Sequence, residues 1–502
     1  MKKQTKVLLA TALLTLGASF TAMAATYDWQ IVDGEWVCYN EDGDTYDNEW
    51  VESAGKDYYV GDDGVMLTSQ WVDEYYLDST GTKTINAWKY LLPEGADDDD
   101  DAEEAWYYFG SKGKVTTGKK VIDGKTYYFD AEGVMLTGWV EYADKKANEA
   151  AEYNDNVVYV GEDGARVANV WLESVEPGVD EEEVDDPDYF WYYIGSNGAP
   201  KTGRQLDING ETYFFNSDAQ MLSGWVATTN GNAYFDLADN GMTVAQVKKA
   251  TDSNVYYCGD SDEGWAKKST WINEYRSTEF NDADADEDDM YWFWVDSKGK
   301  LYAPTSKDVT EMEFVNGAAR NVASAADATK GAIKTISSKK YVFNSNGEML
   351  SGLVNYNGDL YYFGGSEDGS MKTGAVVIED TKEEDAYKFY FAKNDDNGYA
   401  GEGIAVTGAA EGSLYADGLI VSDDTAWKTY SVSSTDEDYV EVKIGNLYYV
   451  IDEDGDIKTS KKPYKAEDSN GVKYTYIDTT AKTMGTKGAY KGSYTSKATV
   501  KH

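Results

Sequence analysis

The chain of 502 residues holds one histidine, two cysteines and six prolines. That histidine is His502, the last residue, so a Ser-His-Asp triad or a His-ligated metal has no imidazole inside the fold to draw on. The cysteines, Cys38 and Cys258, form an even pair that in an exported chain invites a disulfide. In a repeat array each unit touches only its neighbours, so two packed thiols are expected instead of a bridge. Beyond residue 24 no run approaches the ~20 apolar residues of a spanning helix. Basic residues are scarce as well: 45 Lys and Arg against 91 Asp and Glu give a net charge of −46, which repels nucleic acid and bare anionic membrane. The sign reverses only in residues 458–502, where ten lysines face Glu467, Asp468 and Asp478. That tail reads either as a solvated terminus or as an arm that docks on an anionic polymer or on the acidic body of a neighbouring molecule.

Residues 1–24 carry the pattern of an export signal: Lys2, Lys3 and Lys6, an apolar run from Val7 to Leu16, then Ala22-Met23-Ala24. The expectation is an exported protein, secreted or held at the surface without a membrane helix. No LPxTG-like sorting signal stands near the C-terminus.

Aromatics and glycine are abundant, with 42 Tyr, 15 Trp, 14 Phe and 48 Gly, and they are periodic. WYYFGSKG (106–113), TYYFDAEG (126–133), WYYIGSNG (191–198) and KYVFNSNG (340–347) align on a turn glycine, and TYFFNSDA (212–219) places Ala219 there. Alternating β-prone residues that run into Asp, Asn, Ser or Gly mark a strand entering a turn. Asp123-Gly124, Asn209-Gly210 and Asn357-Gly358 precede such strands and are strong hairpin signals. The unit is therefore a β-hairpin of roughly 20 residues, too small to stand alone, which must stack on its neighbours to bury its aromatics. An all-β, elongated solenoid of stacked hairpins is expected.

A longer period overlies the short one. Trp71, Trp171 and Trp271 are followed by acidic inserts at Asp97–Glu104, Asp180–Asp188 and Asp282–Asp289, and each insert leads into a strand at Trp106, Trp191 or Trp292. Three modules of roughly 100 residues are expected over 57–354, after a hairpin or cap at 25–56 and before degenerate hairpins at 355–457 and the basic tail at 458–502. The inserts read as enlarged hairpin loops. Their carboxylates are either solvated and repulsive or gather Ca²⁺, though none has the ligand spacing of an EF-hand. Asp452-Glu453-Asp454-Gly455-Asp456 is nearer to such a pattern but sits where a hairpin turn is expected. No other cofactor is implied.

TYYFDAEGVMLTGWV (126–140) resembles the aromatic-Gly-Trp repeat of cell-wall-binding (choline-binding) modules, of glucan-binding repeats, and of the receptor-binding region of large clostridial toxins. The resemblance covers most of residues 30–455 and implies a hairpin solenoid that binds choline or glycan at the groove between consecutive hairpins. In the choline-binding version a strand-opening Trp, the Trp of a Gly-Trp pair and an aromatic of the next hairpin surround the ligand. The first matches Trp106, Trp191 and Trp292, whose units end in TGK, TGR and APT. The second matches Trp139 and Trp225, whose units open with Thr126 and Thr212. The two halves of a choline cage thus fall in different units, and DGKTYYF and NGETYFF resemble the toxin and glucan-binding versions more.

Most of the aromatics must be core, since a hairpin solenoid has nothing else large to bury. Trp106, Trp139, Trp191 and Trp225 are the candidates for exposure that the resemblance places at the groove, and Trp292, Tyr128 and Tyr361 complete the candidate ligand-binding set. Tyr127 and Phe129 lie on one face of their strand and Tyr128 on the other, and either face could be the buried one. The longest span without a clear repeat, roughly 301–339, is far shorter than a catalytic domain, so a non-enzyme is expected. Two functions stand: a binding protein for cell-wall polymer or extracellular glycan, or an acidic spacer whose aromatics are all core and whose tail attaches it. Exposed indoles at Trp139 and Trp225 favour the first, and buried ones take those residues from it.

Overall fold

A computed structural model of the chain describes residues 27–96, 102–181, 183–229, 233–249, 253–280, 290–305, 307–315, 318–321, 330–380, 385–393, 401–422, 432–434, 440–444, 447–457, 464–467, 473–477 and 496–499. The export signal lies outside them. Among the described residues the fold is all-β, with one four-residue helix, Val244–Val247, capped by Thr243. The chain forms two compact units, residues 1–201 and 202–502.

In the first unit the paired strands follow one another along the chain: Asp28–Val32 with Glu35–Tyr39, Glu49–Ser53 with Lys56–Val60, Gln70–Val72 with Tyr75–Leu77, Ala87–Leu91 with Ala105–Phe109, Gly118–Ile122 with Lys125–Phe129, Gly138–Ala143 with Lys146–Glu149 and Val157–Val160, and Val170–Ser174 with Phe190–Ile194. They are numbered here as hairpins one to seven. The tight turns are of the twisted type the Asp-Gly and Asn-Gly pairs specify. Asp123 and Gly124 have φ of 48° and 82°, Asn209 and Gly210 of 55° and 91°, and Asn357 and Gly358 of 56° and 94°. Such left-handed pairs match the right-handed twist of the strands they join. Ala219 takes the same left-handed region, at φ 63°, as its alignment with the turn glycines requires.

A recurring backbone hydrogen bond joins each of hairpins two to six to the one before it; at hairpin seven the donor position is Pro200, which has no N–H. The residue two positions after the turn glycine donates its N–H to a carbonyl on the second strand of the preceding hairpin or in the turn just before it: Met66 to Trp36 at 2.8 Å, Lys83 to Asp57 at 2.9 Å, and Val115 to Glu74, Met135 to Trp106 and Arg166 to Thr126 at 2.8 Å each. The second unit repeats the device with Ala266 to Thr212, Leu301 to Val255, Met371 to Lys340 and Ala405 to Leu360, all at 2.8 Å. This register sets which side chains meet between hairpins.

Both faces of a strand are consequently buried, which is why alternation alone left the choice open. Tyr128 packs forward onto Val140, Val158 and Val160 of the sixth hairpin, with the Tyr142 ring 5.4 Å away. Tyr127 and Phe129 face backward onto Trp88 of the fourth hairpin, at 4.9 and 5.7 Å. Met135 links hairpins too: a Cβ on the next turn glycine, Gly164, would stand 2.1 Å from its Sδ.

All three acidic inserts join paired strands, closing on Leu91↔Ala105, Ser174↔Phe190 and Glu274↔Tyr291, so they are enlarged hairpin loops. Of their residues, Asp97–Asp101, Glu182 and Asp282–Asp289 lie outside the described set. The span 301–339 contributes Val309–Val315, which pairs with Ala318–Asn321 on one side and Leu353–Tyr356 on the other, and Gly331–Ile336, which pairs with Lys339–Asn344. The basic tail departs from a wholly solvated terminus: Tyr464–Glu467, Lys473–Ile477 and Ser496–Thr499 form a three-stranded sheet, in keeping with the alternating Tyr and β-branched residues of its middle strand.

Cys38 and Cys258 are free and buried, one in each unit. Cys38 packs with Val51 and Val60, and burial reinforced by Asp28 pushes its thiol up to about 11. Cys258 lies among Phe214, Val226 and Tyr256, where burial raises its thiol further.

Candidate ligand sites between hairpins

The tryptophans divide into closed and open sites. Trp139 is 8% exposed and Trp225 wholly buried, which corrects the expectation that the Gly-Trp indoles are exposed. The Trp139 N–H donates to the Val175 carbonyl at 2.9 Å and to Ser174 Oγ at 3.2 Å, while Trp225 donates to the Tyr275 carbonyl at 2.9 Å. Trp71 does the same toward Leu92 at 2.9 Å. Each acceptor opens the acidic loop of the hairpin that follows, or adjoins its first residue. The physical reason for the burial is thus a neighbour that no pattern within one unit reveals: the root of each acidic loop folds back over the preceding Trp and satisfies its N–H. Tyr128, at 1%, and Tyr361, at 8%, are also core, the latter packed among Val309, Val342, Val354 and Phe363. Burial pushes the Tyr361 hydroxyl up to about 12.

Trp106, Trp191 and Trp292 remain partly or largely open, with Trp106 45% exposed. Each stands at right angles to a tryptophan of its own hairpin: Trp88–Trp106 at 6.4 Å and 83°, Trp171–Trp191 at 6.4 Å and 81°, Trp271–Trp292 at 6.5 Å and 84°. The strand-opening tryptophans thus stand apart from Trp139 and Trp225, as expected, and pair instead with a tryptophan on the first strand of their own hairpin. Trp88, opposite Tyr108, holds the register that Trp139 holds opposite Tyr159. Ala87-Trp88, Val170-Trp171 and Thr270-Trp271 are Gly-Trp pairs without the glycine, a signal that was present in the sequence and hidden by reading the motif literally.

A third aromatic comes from the next hairpin. Tyr127 lies 4.9 Å from Trp88, and Tyr341 lies 4.8 Å from Trp271. The linking methionine completes each group, Met135 through its bond to the Trp106 carbonyl and Met349 in one cluster with Tyr341, Trp271 and Trp292. The same set opens the array. Trp29, Trp36, Tyr58 and Met66 line a cavity of about 460 Å³, with Trp29 and Tyr58 5.6 Å apart, inside the size range of small-ligand sites. The hairpin or cap expected at 25–56 thus contributes Trp29 and Trp36 to a cavity of its own.

Other grooves are taken by the protein's own cations. TGK and TGR put Lys119 and Arg204 at the Trp register, opposite Tyr128 and Phe214. Lys119 Nζ stands 5.9 and 5.7 Å from the Tyr128 and Tyr142 rings, and the Arg204 guanidinium 5.8 and 5.6 Å from Phe214 and Tyr256.

The acidic clusters offer less. Asp452 spends its Oδ1 on the N–H groups of Asp454 and Asp456, at 3.2 and 2.8 Å, so DEDGD is a hairpin turn. Among the described residues no group of three carboxylates, thiols or imidazoles could hold a metal ion. In the second unit Glu348 is buried and committed, accepting from Arg276 Nε at 2.8 Å and from Asn344 Nδ2 at 2.6 Å. The cavity beside it, about 140 Å³, is below the size that holds a sugar ring.

A family model for the choline-binding repeat matches residues 44–82, and a second choline-binding repeat model matches residues 116–171. Residues 44–82 and 116–171 thus carry repeats of the choline-binding type. Residues 116–171 of these repeats include Tyr127, Met135 and the closed Trp139. Glucosyltransferase-S of Streptococcus mutans serotype c is 26% identical over 302 residues, covering 59% of this chain and 17% of that protein. Glucosyltransferase-I of Streptococcus downei is 23% identical over 467 residues, covering 88% of this chain and 26% of that protein. The chain thus spans only a minor part of the length of these relatives. Among solved structures, choline binding protein F from Streptococcus pneumoniae is 16% identical, covering 80% of this chain and 100% of that chain with a TM-score of 0.30. Among the described residues no helix is long and apolar enough to cross a membrane.

Proposed function

We propose that this protein is a non-catalytic, exported, surface-associated binder of cell-wall polymer or extracellular glycan, and that its open Trp-Trp-Tyr grooves take a quaternary ammonium such as choline carried on that polymer. The observation that carries the reading is the right-angled tryptophan pair of one hairpin, closed by an aromatic of the next, as in Trp88, Trp106 and Tyr127. Three ring faces around a cation attract it by roughly 0.5 to 2 kcal/mol each. A single site of that kind is weak, but several on one chain engage a polymer with avidity. The net charge of −46 favours a cationic headgroup over a polyanion at the same grooves. Repeats of the choline-binding type and relatives named as glucosyltransferases support a wall or glycan partner. The non-catalytic part rests on the lone C-terminal histidine and on a buried Glu348 already held by Arg276 and Asn344.

The test is retention of the purified chain on bacterial cell walls and on a glucan panel, with free choline as competitor. Release by choline supports the cages. Retention on glucan that choline does not disturb moves the ligand to a sugar face laid on Trp106. Retention on neither sinks both and leaves an acidic spacer, the alternative that the buried Trp139, Trp225, Tyr128 and Tyr361 favour.

A further inference from the structure

The groove between the second and third hairpins shares its central tryptophan and two tyrosines with the one between the fourth and fifth. Trp50 stands 5.2 Å from Tyr59 and 5.1 Å from Tyr75, as Trp88 stands 5.1 Å from Tyr108 and 4.9 Å from Tyr127. Leu77 stands in the place of Phe129, and the two positions joined by the hydrogen bond between hairpins differ in charge. Where Met135 bonds to the carbonyl of Trp106, Lys83 bonds to the carbonyl of Asp57. The Lys83 ammonium lies 4.9 Å from the Trp50 ring centre and 5.4 Å from that of Tyr75, within cation-π range of both. It is ion-paired with Asp57, and the lysine side chain is only 17% exposed.

We propose that this groove is a further cation site, filled by the protein's own Lys83, and that the residue pair at these two positions decides which grooves accept an external quaternary ammonium. Trp with Met leaves the cage open; Asp with Lys closes it from within. A tethered ammonium gives up little translational freedom on entering the groove, so it competes with free ligand at an effective concentration on the order of millimolar. Asp57, standing at the register of Trp36 and Trp106, removes one aromatic wall and supplies the counter-charge. The fifth and sixth hairpins vary the same two positions, with Thr126 and Arg166 in place of Trp and Met, and Lys119 lies over their rings. The inference rests on the cage reading above, since it assigns Lys83 the place of that ligand's cation.

The experiment is calorimetric titration of the full chain with choline chloride, comparing wild type with Lys83→Met and Lys83→Ala, and with Asp57→Trp/Lys83→Met. Lys83→Met installs the residue found at this register in Met66 and Met135, so it keeps the packing between hairpins. The expected result is one added equivalent of choline in the double variant, and a weaker added equivalent in each single variant. An unchanged stoichiometry in every variant that keeps the wild-type circular dichroism spectrum overturns the inference. A wild type that takes up no choline overturns the cage reading instead, and an equivalent bound by the double variant alone then still supports the role of Lys83.

Discussion

Trp106→Ala and Trp139→Ala remove the same side chain from adjacent parts of one array and should have opposite consequences. Trp139 is 8% exposed, stands 4.9 Å from both Tyr159 and Tyr192, and donates its N–H to the Val175 carbonyl. Truncating a buried tryptophan costs about 3 to 5 kcal/mol. The abandoned carbonyl and the Ser174 hydroxyl add about 1 to 2 kcal/mol, for a total of about 5 kcal/mol, enough to unfold the hairpins around it. Trp106 is 45% exposed, so its truncation forfeits roughly half the burial of a large side chain, about 1 to 1.5 kcal/mol. Urea unfolding followed by circular dichroism, with hydrogen exchange over residues 138–194, reads the first effect, and choline titration reads the second. Trp139→Ala should lose exchange protection throughout that segment. Trp106→Ala should keep its protection and lose one binding equivalent, and Trp139→Phe should keep the wild-type stoichiometry. Equal destabilisation by the two alanine variants, or a loss of binding in a folded Trp139→Phe, refutes the division into closed and open sites.

Gly164→Ala should destabilise by about 2 to 3 kcal/mol and Gly124→Ala by only about 1 kcal/mol, measured by urea unfolding. Both glycines are left-handed, at φ 73° and 82°, but a Cβ on Gly164 meets Met135 Sδ while one on Gly124 meets nothing within 4 Å. The Asp236 carboxyl, pushed up to about 6 mainly by burial, binds its proton more tightly folded than unfolded. Its contribution is therefore full below its ordinary value near 3.8 and is lost as pH rises through about 6. Asp236→Asn should stabilise the protein at pH 7.5 by about 1 kcal/mol, well under the ~3 kcal/mol of two full pKa units because the group is partly exposed. It should also flatten the stability profile between pH 4 and 6, and parallel profiles in that window would count against the burial argument. Both thiols should resist an aromatic disulfide reagent at pH 8 in the folded protein and react in urea, since burial raises Cys38 to about 11 and Cys258 further.

The hairpins were legible because their signals are local. Asp123-Gly124 sets a left-handed turn whatever surrounds it, and the glycine-aligned strands repeat often enough to declare a stacked array. The acidic inserts were recognisable as loops for the same reason: they interrupt a strand pair whose two halves each read as strands. The candidate site was only half legible. Trp106, Trp191 and Trp292 stood out as candidates from their place at the head of a strand, whereas Trp29, Trp88, Trp171 and Trp271 did not, because cross-strand register, not the Gly-Trp dipeptide, defines the partner position.

What the amino-acid sequence by itself determined is the brick: turn chemistry, alternation and an aromatic surplus too large for any single hairpin to bury. Which aromatic faces water was decided only by tertiary structure. TYYFDAEGVMLTGWV carries in its Gly-Trp pair a tryptophan that looks available for a ligand, yet a carbonyl 36 positions downstream takes its N–H and the next hairpin covers its ring. Trp50, by contrast, lies in an aromatic groove whose occupant is a lysine 33 positions away. In a stacked array each groove is made by two units, so exposure is a property of the pair, and the bond from one turn to the preceding strand chooses what fills it.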